Sequence, residues 1–182
     1  MLGEAAMTQA DADRYFNDYL HAIESVGKDA AGRTIYNGNS VSVKLSAIHP
    51  KYWRAKYDRV IDELYPRVKE LFLLAQKYNI SVNIDAEEAS RLELSLDLVE
   101  KLLDEPELKG YKGIGYVVQA YSKRCPFVLD YLINLAREKD GYLMIRLVKG
   151  AYWDSEVKWA QADGLDGFPL YTRKNHTDIS YI

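Results

Sequence analysis

Residues 143–154 read LMIRLVKGAYWD, and this stretch decides which fold the chain can adopt. Its first part, residues 143–148, is a nearly continuous apolar run, which is typical of a central parallel strand that is buried on both faces. Arg146 interrupts the run, and Gly150 lets the backbone turn after it. Because a guanidinium inside an apolar strand is costly without a partner, we expect Arg146 either to form an ion pair or to contact a ligand.

Length and composition limit the class of protein. The chain has 182 residues, of which 48% are hydrophobic and 28% charged, and its formal net charge is −3 at pH 7. These values suit one globular domain with a sizeable core, and they give no reason to expect a nucleic-acid partner. No apolar stretch is long enough to span a bilayer, and no signal-peptide pattern is present. The single cysteine, Cys125, excludes an internal disulfide and fits a reducing compartment.

Three further strands are predicted before this stretch, at residues 41–45, 80–85 and 113–119, and helical patterns separate them. The first helix is predicted to begin at a capping box on Thr8, and Gly27 and Gly32 are predicted to break its pattern. A later helix contains Pro66, which predicts a kink or a break. Alternating strands and helices predict an α/β fold with a parallel sheet, in a single segment that covers residues 1–182.

Four polar residues stand at or near the C-terminal ends of the four strands: Lys44, Asp85, Gln119 and Arg146. Ligands bind at that edge in parallel barrels and in open α/β sheets. No G-x-G-x-x-G motif follows a strand, which favours a barrel. Each residue also has a structural interpretation. Lys44 could extend to solvent, Asp85 could cap a helix, Gln119 could satisfy backbone groups, and Arg146 could serve only as the ion-pair partner of Asp85.

The spacing alone predicts a barrel-type enzyme whose cationic and acidic side chains face one pocket, which could bind an anionic small molecule. It does not decide the reaction. Tyr152 and Trp153 directly follow the strand end and are equally compatible with a core position and with a ligand platform. His49 and His176 are isolated, without metal-ligand spacing.

Four motifs surround these strand ends, and a fifth lies near the end of the sequence: VSVKLSAIHPKY (41–52), NIDAEEASRLE (83–93), VVQAYSKRCP (117–126), IRLVKGAYWDSE (145–156) and YTRKNHTDISY (171–181). They resemble the proline dehydrogenase domain of the bifunctional proline utilization A flavoenzymes, and the resemblance extends from Met1 to Ile182. It implies a distorted (β/α)8 TIM-type barrel that holds FAD noncovalently and oxidises L-proline to pyrroline-5-carboxylate by hydride transfer to the flavin, in proline catabolism to glutamate. The implied electron acceptor is a membrane quinone. The implied location is cytoplasmic, with peripheral association at the inner membrane face left open.

The resemblance also implies a role for individual residues. Lys44 and Asp85 are expected beside the substrate, and Arg146 near flavin N5, where its charge would favour the anionic reduced flavin; these three are the expected catalytic residues. Gln119 is expected to hydrogen-bond the isoalloxazine ring. Asp85, next to two cations, is expected to keep a low pKa. The other expected FAD contacts are Ala86, Val148, Lys149 (near the phosphates), Gly150, Ala151 and Trp153.

The resemblance covers about half of a barrel. The family's first strand, its later strand–helix units and the paired arginines that clamp the proline carboxylate have no counterpart in this sequence. We therefore expect the 182 residues to be the central part of a proline dehydrogenase barrel, inactive alone and dependent on the missing segments to complete the fold. Two alternatives stay open: a non-enzymatic partial-barrel fragment, and a lyase in which Lys44 or Lys149 forms a Schiff base.

Overall fold

The chain folds into a parallel sheet with helices between its strands, as the alternating pattern predicts. The computed structural model describes residues 2–182. Neighbouring strands pair in parallel, and their order in the sheet follows their order in the chain. Over the described residues, the strands are β1 (Ser40–Val43), β2 (Ser81–Ile84), β3 (Ile114–Gln119) and β4 (Met144–Val148).

The helices lie before and between these strands. The α-helices of the described residues are α1 (Gln9–Asp29), α2 (Tyr57–Arg59), α3 (Tyr65–Tyr78), α4 (Leu92–Asp104), α5 (Cys125–Glu138), α6 (Trp153–Ala162) and α7 (Lys174–Tyr181). Short 3-10 turns occur at Leu45–Ala47, Arg54–Lys56, Ala89–Arg91 and Pro106–Leu108, and a π-helical turn occurs at Val60–Leu64.

Helix α1 begins where the capping box predicts. Asp11 N donates to Thr8 Oγ1 at 3.1 Å, and Thr8 N donates to the Asp11 carboxylate at 3.2 Å. The prediction that Gly27 breaks the helix is wrong, because α1 continues to Asp29. Gly27 is buried inside the helix, and a Cβ there would overlap the Tyr78 ring of α3. The glycine therefore serves close packing between two helices and not a turn.

Pro66 interrupts the regular α-helical pattern, as predicted, but the chain stays helical through the interruption and does not break into two separate helices. Helix α2 passes into the π-helical turn Val60–Leu64, and α3 then begins with Pro66 in its first turn. Proline has no N–H, and its ring excludes the carbonyl group four residues earlier. The hydrogen-bond ladder must widen at that point, and a π turn is one way to widen it.

The core lies between the sheet and its helices, and the two inner strands are the most buried. Every residue of β2 is buried. Strand β4, predicted to be central and buried, instead lies at the edge of the described sheet, and Ile145 is 37% exposed. The apolar run predicted the strand correctly. Full burial of β4 would require a further element beside it, which the described residues do not provide.

Candidate active site

The C-terminal ends of the strands meet at a cleft of about 260 Å³. Every site residue expected from the sequence lines this cleft, except Trp153. The additional lining residues are Val117 and Tyr152. The rule that parallel sheets bind ligands at this edge therefore brings the predicted residues together.

Arg146 and Asp85 form an ion pair across the intervening strand β3. Arg146 Nη2 also lies 3.3 Å from Ser42 Oγ on β1. The side chain of Asp85 is 19% exposed and that of Arg146 is 47% exposed. The expected ion pair is thus present, and the guanidinium is still open to the cleft.

The electrostatic environment of Asp85 differs from the expectation. Burial raises the pKa of the Asp85 carboxyl and outweighs the opposing effects of Arg146 and Lys44. The expected low pKa is therefore wrong in direction. The prediction considered only the nearby cations. Removal of the Asp85 carboxylate from water has the larger effect on its pKa, because it disfavours the charged form.

Lys44 takes part in a three-residue hydrogen-bond cluster at one end of the cleft. Lys44 Nζ lies 2.5 Å from Glu4 Oε1 and 2.9 Å from the Tyr152 hydroxyl, which donates to Glu4 at 2.9 Å. The hydrogen bond from Lys44 lowers the pKa of Glu4, and burial raises the pKa of Tyr152. Glu4 was given no role by the sequence reasoning, because no periodicity relates it to a residue 40 positions away.

Gln119 connects two of the turns that form the cleft walls. Its Nε2 donates to the carbonyl oxygen of Glu87 at 2.9 Å, and its Oε1 accepts from Ala151 N at 3.0 Å. Ala86, in the first of these turns, faces the same cleft. The alternative that Gln119 satisfies backbone groups is therefore correct, and this bonding orients its side chain within the site.

Glu87 connects two of the turns beside the cleft and was not predicted as a site residue. It is buried, and its carboxylate accepts from Ser46 N at 3.0 Å and pairs with Arg91 at 2.7 Å. Burial raises the pKa of this carboxyl. Glu87 thereby holds the turn after β2 against the turn after β1.

The turn after β4 contains a position that favours glycine. Gly150 has φ +138°, and a Cβ there would overlap the ring of Tyr121. Lys149, the preceding residue, lies 2.5 Å from Asp178 on α7, and this contact raises the pKa of Lys149. Asp178 also accepts from Lys174 at 2.7 Å. The backbone at Gly150 therefore lies directly on an aromatic ring and, with Lys149, lines the cleft.

Trp153 lines a second cleft, of about 380 Å³, which adjoins the first. The two clefts share Lys149 and Gly150. Trp153 Nε1 donates to the carbonyl oxygen of Tyr171 at 3.1 Å. The residues of this cleft that the sequence reasoning missed are Tyr121, Tyr171, Thr172, Lys174 and Thr177.

Two further structural findings concern the described residues as a whole. No group of three or more His, Cys, Asp or Glu side chains among them is arranged to hold a metal ion. None of their helices is both long enough and apolar enough to cross a membrane.

The fold and the site define a class of protein: a parallel α/β protein with charged and polar side chains at the C-terminal edge of its sheet. The family model described as proline dehydrogenase matches residues 1–182, and the chain belongs to this family.

Relatives and solved structures agree with the family. The chain is 64% identical over 182 residues to the bifunctional protein PutA of Klebsiella aerogenes, covering 100% of this chain and 14% of that protein. It superposes with a TM-score of 0.97 and 50% identity on a mutant of proline utilization A from Bradyrhizobium japonicum, covering 100% of this chain and 19% of that one.

A more distant solved structure has the same fold. Proline utilization A from Bdellovibrio bacteriovorus, inactivated by N-propargylglycine, gives a TM-score of 0.89 and 32% identity over 99% of this chain and 20% of that chain. The chain therefore spans a small part of the proteins that it matches. These matches confirm the predicted fold class and the family inferred from the strand-end motifs.

Proposed function

We propose that this chain forms part of a flavin-dependent proline dehydrogenase, which oxidises L-proline to pyrroline-5-carboxylate in the conversion of proline to glutamate. One observation carries the proposal: a chain that matches the proline dehydrogenase family over its whole length also brings its predicted site residues to one sheet edge. The 64% identity to a bifunctional PutA protein supports the same reaction.

The described residues fit an elongated flavin dinucleotide. Two adjoining clefts share Lys149 and Gly150, so one extended molecule could occupy both. Gly150 has no side chain of its own, so a ligand can approach its backbone closely on the side that the Tyr121 ring leaves free. Lys149 and Lys174 line the second cleft and share the single carboxylate of Asp178, so one net positive charge remains there for the phosphates of such a cofactor.

In this proposal each side chain has a defined task. FAD, when bound, supplies the acceptor for the hydride that leaves proline. Arg146 provides positive charge at the reacting end of the cleft. Lys44 and Asp85 orient the substrate, and Gln119 contacts the flavin ring. The other proposed FAD contacts are Ala86, Val148, Lys149, Gly150, Ala151 and Trp153.

We further propose that residues 1–182 form the central part of a larger barrel. The open edge of β4 and the greater length of the relatives support this proposal. Membrane quinone is the proposed electron acceptor, reached from the cytoplasmic side of the inner membrane. The lyase alternative has less support, because Lys149 is held by Asp178 and Lys44 donates to Glu4; a Schiff-base amine must instead be free and uncharged.

The colour of the purified protein and its turnover of L-proline test the proposal. The native full-length protein is expected to purify yellow, to bleach on addition of L-proline, and to reduce a dye in a proline-dependent reaction. N-propargylglycine is expected to inactivate it, as it inactivates the Bdellovibrio relative, and L-proline is expected to protect it. A colourless protein that does not take up added FAD would contradict the proposal. Trapping of substrate on a lysine by borohydride would favour the lyase.

A further inference from the structure

Glu156 on α6 is a buried acid that has no role in the proposed chemistry. It is 6% exposed, and burial raises the pKa of its carboxyl. It does not line the cleft that contains Arg146 and Asp85; it borders a separate small pocket of about 40 Å³, together with Ala89 and Gln119. A buried carboxyl is costly unless its oxygen atoms have hydrogen-bond partners, so a specific contact must hold it at this position.

That contact is the backbone N–H of Ala89, which donates to Glu156 Oε1 at 2.5 Å. Ala89 begins the 3-10 turn that leads into α4, and neither Glu88 nor Arg91, the residues that precede the turn and the helix, supplies a side-chain cap. The first N–H groups of a helix have no partner within it. Glu156 therefore supplies, from 67 residues away, a cap that the local sequence lacks.

The Glu156–Ala89 hydrogen bond joins the two turns that form the cleft walls. Ala89 directly follows the turn at 85–88, which carries Asp85 and Ala86. Glu156 follows the turn at 149–152, and its backbone N–H donates to the carbonyl oxygen of Tyr152 at 3.0 Å. Any increase in the separation of the two turns must therefore stretch this bond.

Gln119 makes a second bridge between the same two turns, through Glu87 O and Ala151 N. One bridge would set a distance but would leave the turns free to rotate about it. Two bridges at different points restrict both the separation and the relative rotation of the walls. Gln119 faces the cleft, whereas Glu156 acts from behind it.

We propose that Glu156 is a positioning residue, which fixes the width of the cleft for the flavin without touching the flavin itself. The inference rests on the proposed function, since it assumes that the cleft binds FAD. Loss of the Glu156 carboxylate leaves the Ala89 N–H without a partner and releases the turn that carries Asp85 and Ala86.

The test compares Glu156→Ala with Glu156→Gln in the native full-length protein. Glu156→Ala removes the acceptor, and Glu156→Gln keeps a side-chain oxygen that can replace it. We expect the alanine variant to bind FAD roughly 10- to 100-fold more weakly, the size expected for a lost hydrogen bond to a charged group. Its bound flavin is expected to show an altered visible circular dichroism spectrum. The glutamine variant is expected to restore both properties.

Tyr65→Phe is a control for general destabilisation. The Tyr65 hydroxyl donates to the carbonyl oxygen of Lys101 at 3.0 Å and to Glu105 at 2.6 Å, at the end of α4 opposite Ala89. Its removal deletes comparable partly buried hydrogen bonds away from the cleft. We expect it to lower the melting temperature and to leave FAD affinity unchanged.

Ala89→Pro deletes the donor of the same bond. Glu88 already has φ −63° and ψ 153°, the conformation that a following proline requires, and proline is tolerated in a first helical turn. We expect Ala89→Pro to weaken FAD binding about as much as Glu156→Ala does. The double variant is expected to be no weaker than either single variant. If Glu156→Ala does not fold, Ala89→Pro alone decides the test.

The inference would be overturned by single variants that bind FAD like the wild type, or by losses that add in full in the double variant. If Tyr65→Phe weakens FAD binding equally, the effect of Glu156 is stability alone, and the inference is likewise overturned. A wild-type protein that fails to bind FAD contradicts the proposed function instead, so the two failures are distinguishable.

Discussion

Arg146 on β4 and Asp85 at the end of β2 form an ion pair that crosses over β3. The two residues are 61 positions apart in the sequence, and the parallel register brings them to the same edge. Arg146 also contacts Ser42 on β1, so side chains from three strand regions meet at one guanidinium. The protein holds this cation in place and leaves nearly half of it exposed to the cleft.

Arg146→Met is expected to impair chemistry much more than folding. Removing a positioned cation at the reacting end should slow flavin reduction by proline on the order of 100-fold. An exposed ion pair contributes little to stability, so the free energy of unfolding should change by about 1 kcal/mol or less. Stopped-flow absorbance of the flavin measures the first effect, and thermal unfolding measures the second.

Arg124→Met is the matched control. Arg124 is ion-paired to Glu93 at 3.0 Å and has a similar exposure, but it lies outside the main cleft. It should change neither flavin reduction nor stability appreciably. If Arg146→Met leaves the reduction kinetics at the wild-type value, Arg146 is only the structural partner of Asp85.

Local signals in the sequence predicted most of the fold. Thr8 and Pro66 acted as expected, because a cap and a missing N–H depend on neighbours within a few residues. Gly27 does not end α1. It lies where the ring of Tyr78, distant in the sequence, packs against the helix. The burial of β4 failed for a similar reason, since burial depends on which elements cover a strand and not on the strand's own residues.

The candidate site was predicted in part. The strand-end rule located Lys44, Asp85, Gln119 and Arg146, because topology alone brings those positions together. It could not identify Glu4, Glu87 and Glu156, whose contacts span 40, 41 and 67 residues without any periodic signal. The sequence could not predict the direction of the pKa shift of Asp85 either, because desolvation depends on how the surrounding residues pack.

Tyr152→Phe is expected to weaken proline binding. The change removes the hydroxyl that contacts both Lys44 and Glu4, and so loosens the cation proposed to orient the substrate. We expect KM for proline to rise about tenfold, the size of one hydrogen bond to a charged group, with kcat changing much less and flavin content preserved. Steady-state kinetics measure KM and kcat separately. Tyr36→Phe, at an exposed tyrosine, is the control. An unchanged KM would mean that the cluster does not position Lys44 for substrate.

His49→Gln is expected to change how stability depends on pH. His49 is buried, lies 3.1 Å from Glu63 and is near Arg59 and Arg67; burial lowers its pKa below the ordinary value. As pH falls below about 6.5, the unfolded chain therefore binds a proton before the folded one does. Stability should decline from that pH down to the lowered pKa and then become independent of this group.

Melting temperatures between about pH 5 and pH 8 measure the His49 effect. His49→Gln should flatten the acid side of the curve. His21→Gln, at an exposed histidine of α1, is the control and should follow the wild type. If the melting temperatures of His49→Gln and the wild type fall equally as pH decreases, groups other than His49 cause the loss of stability in acid.

Gly150→Ala is expected to weaken flavin binding, and Gly164→Ala is its matched control. Both glycines have positive φ, +138° and +64°, but only at Gly150 would a Cβ meet another group, the ring of Tyr121; at Gly164 the space is open. Both substitutions should therefore cost stability, about 1–3 kcal/mol from backbone strain. Only Gly150→Ala must also move the turn that separates the two clefts, and its FAD affinity should fall at least about tenfold, the equivalent of 1.4 kcal/mol. Fluorescence titration with FAD measures the difference. If the two variants bind FAD equally, strain alone explains both, and the contact between Gly150 and Tyr121 does not shape the cofactor site.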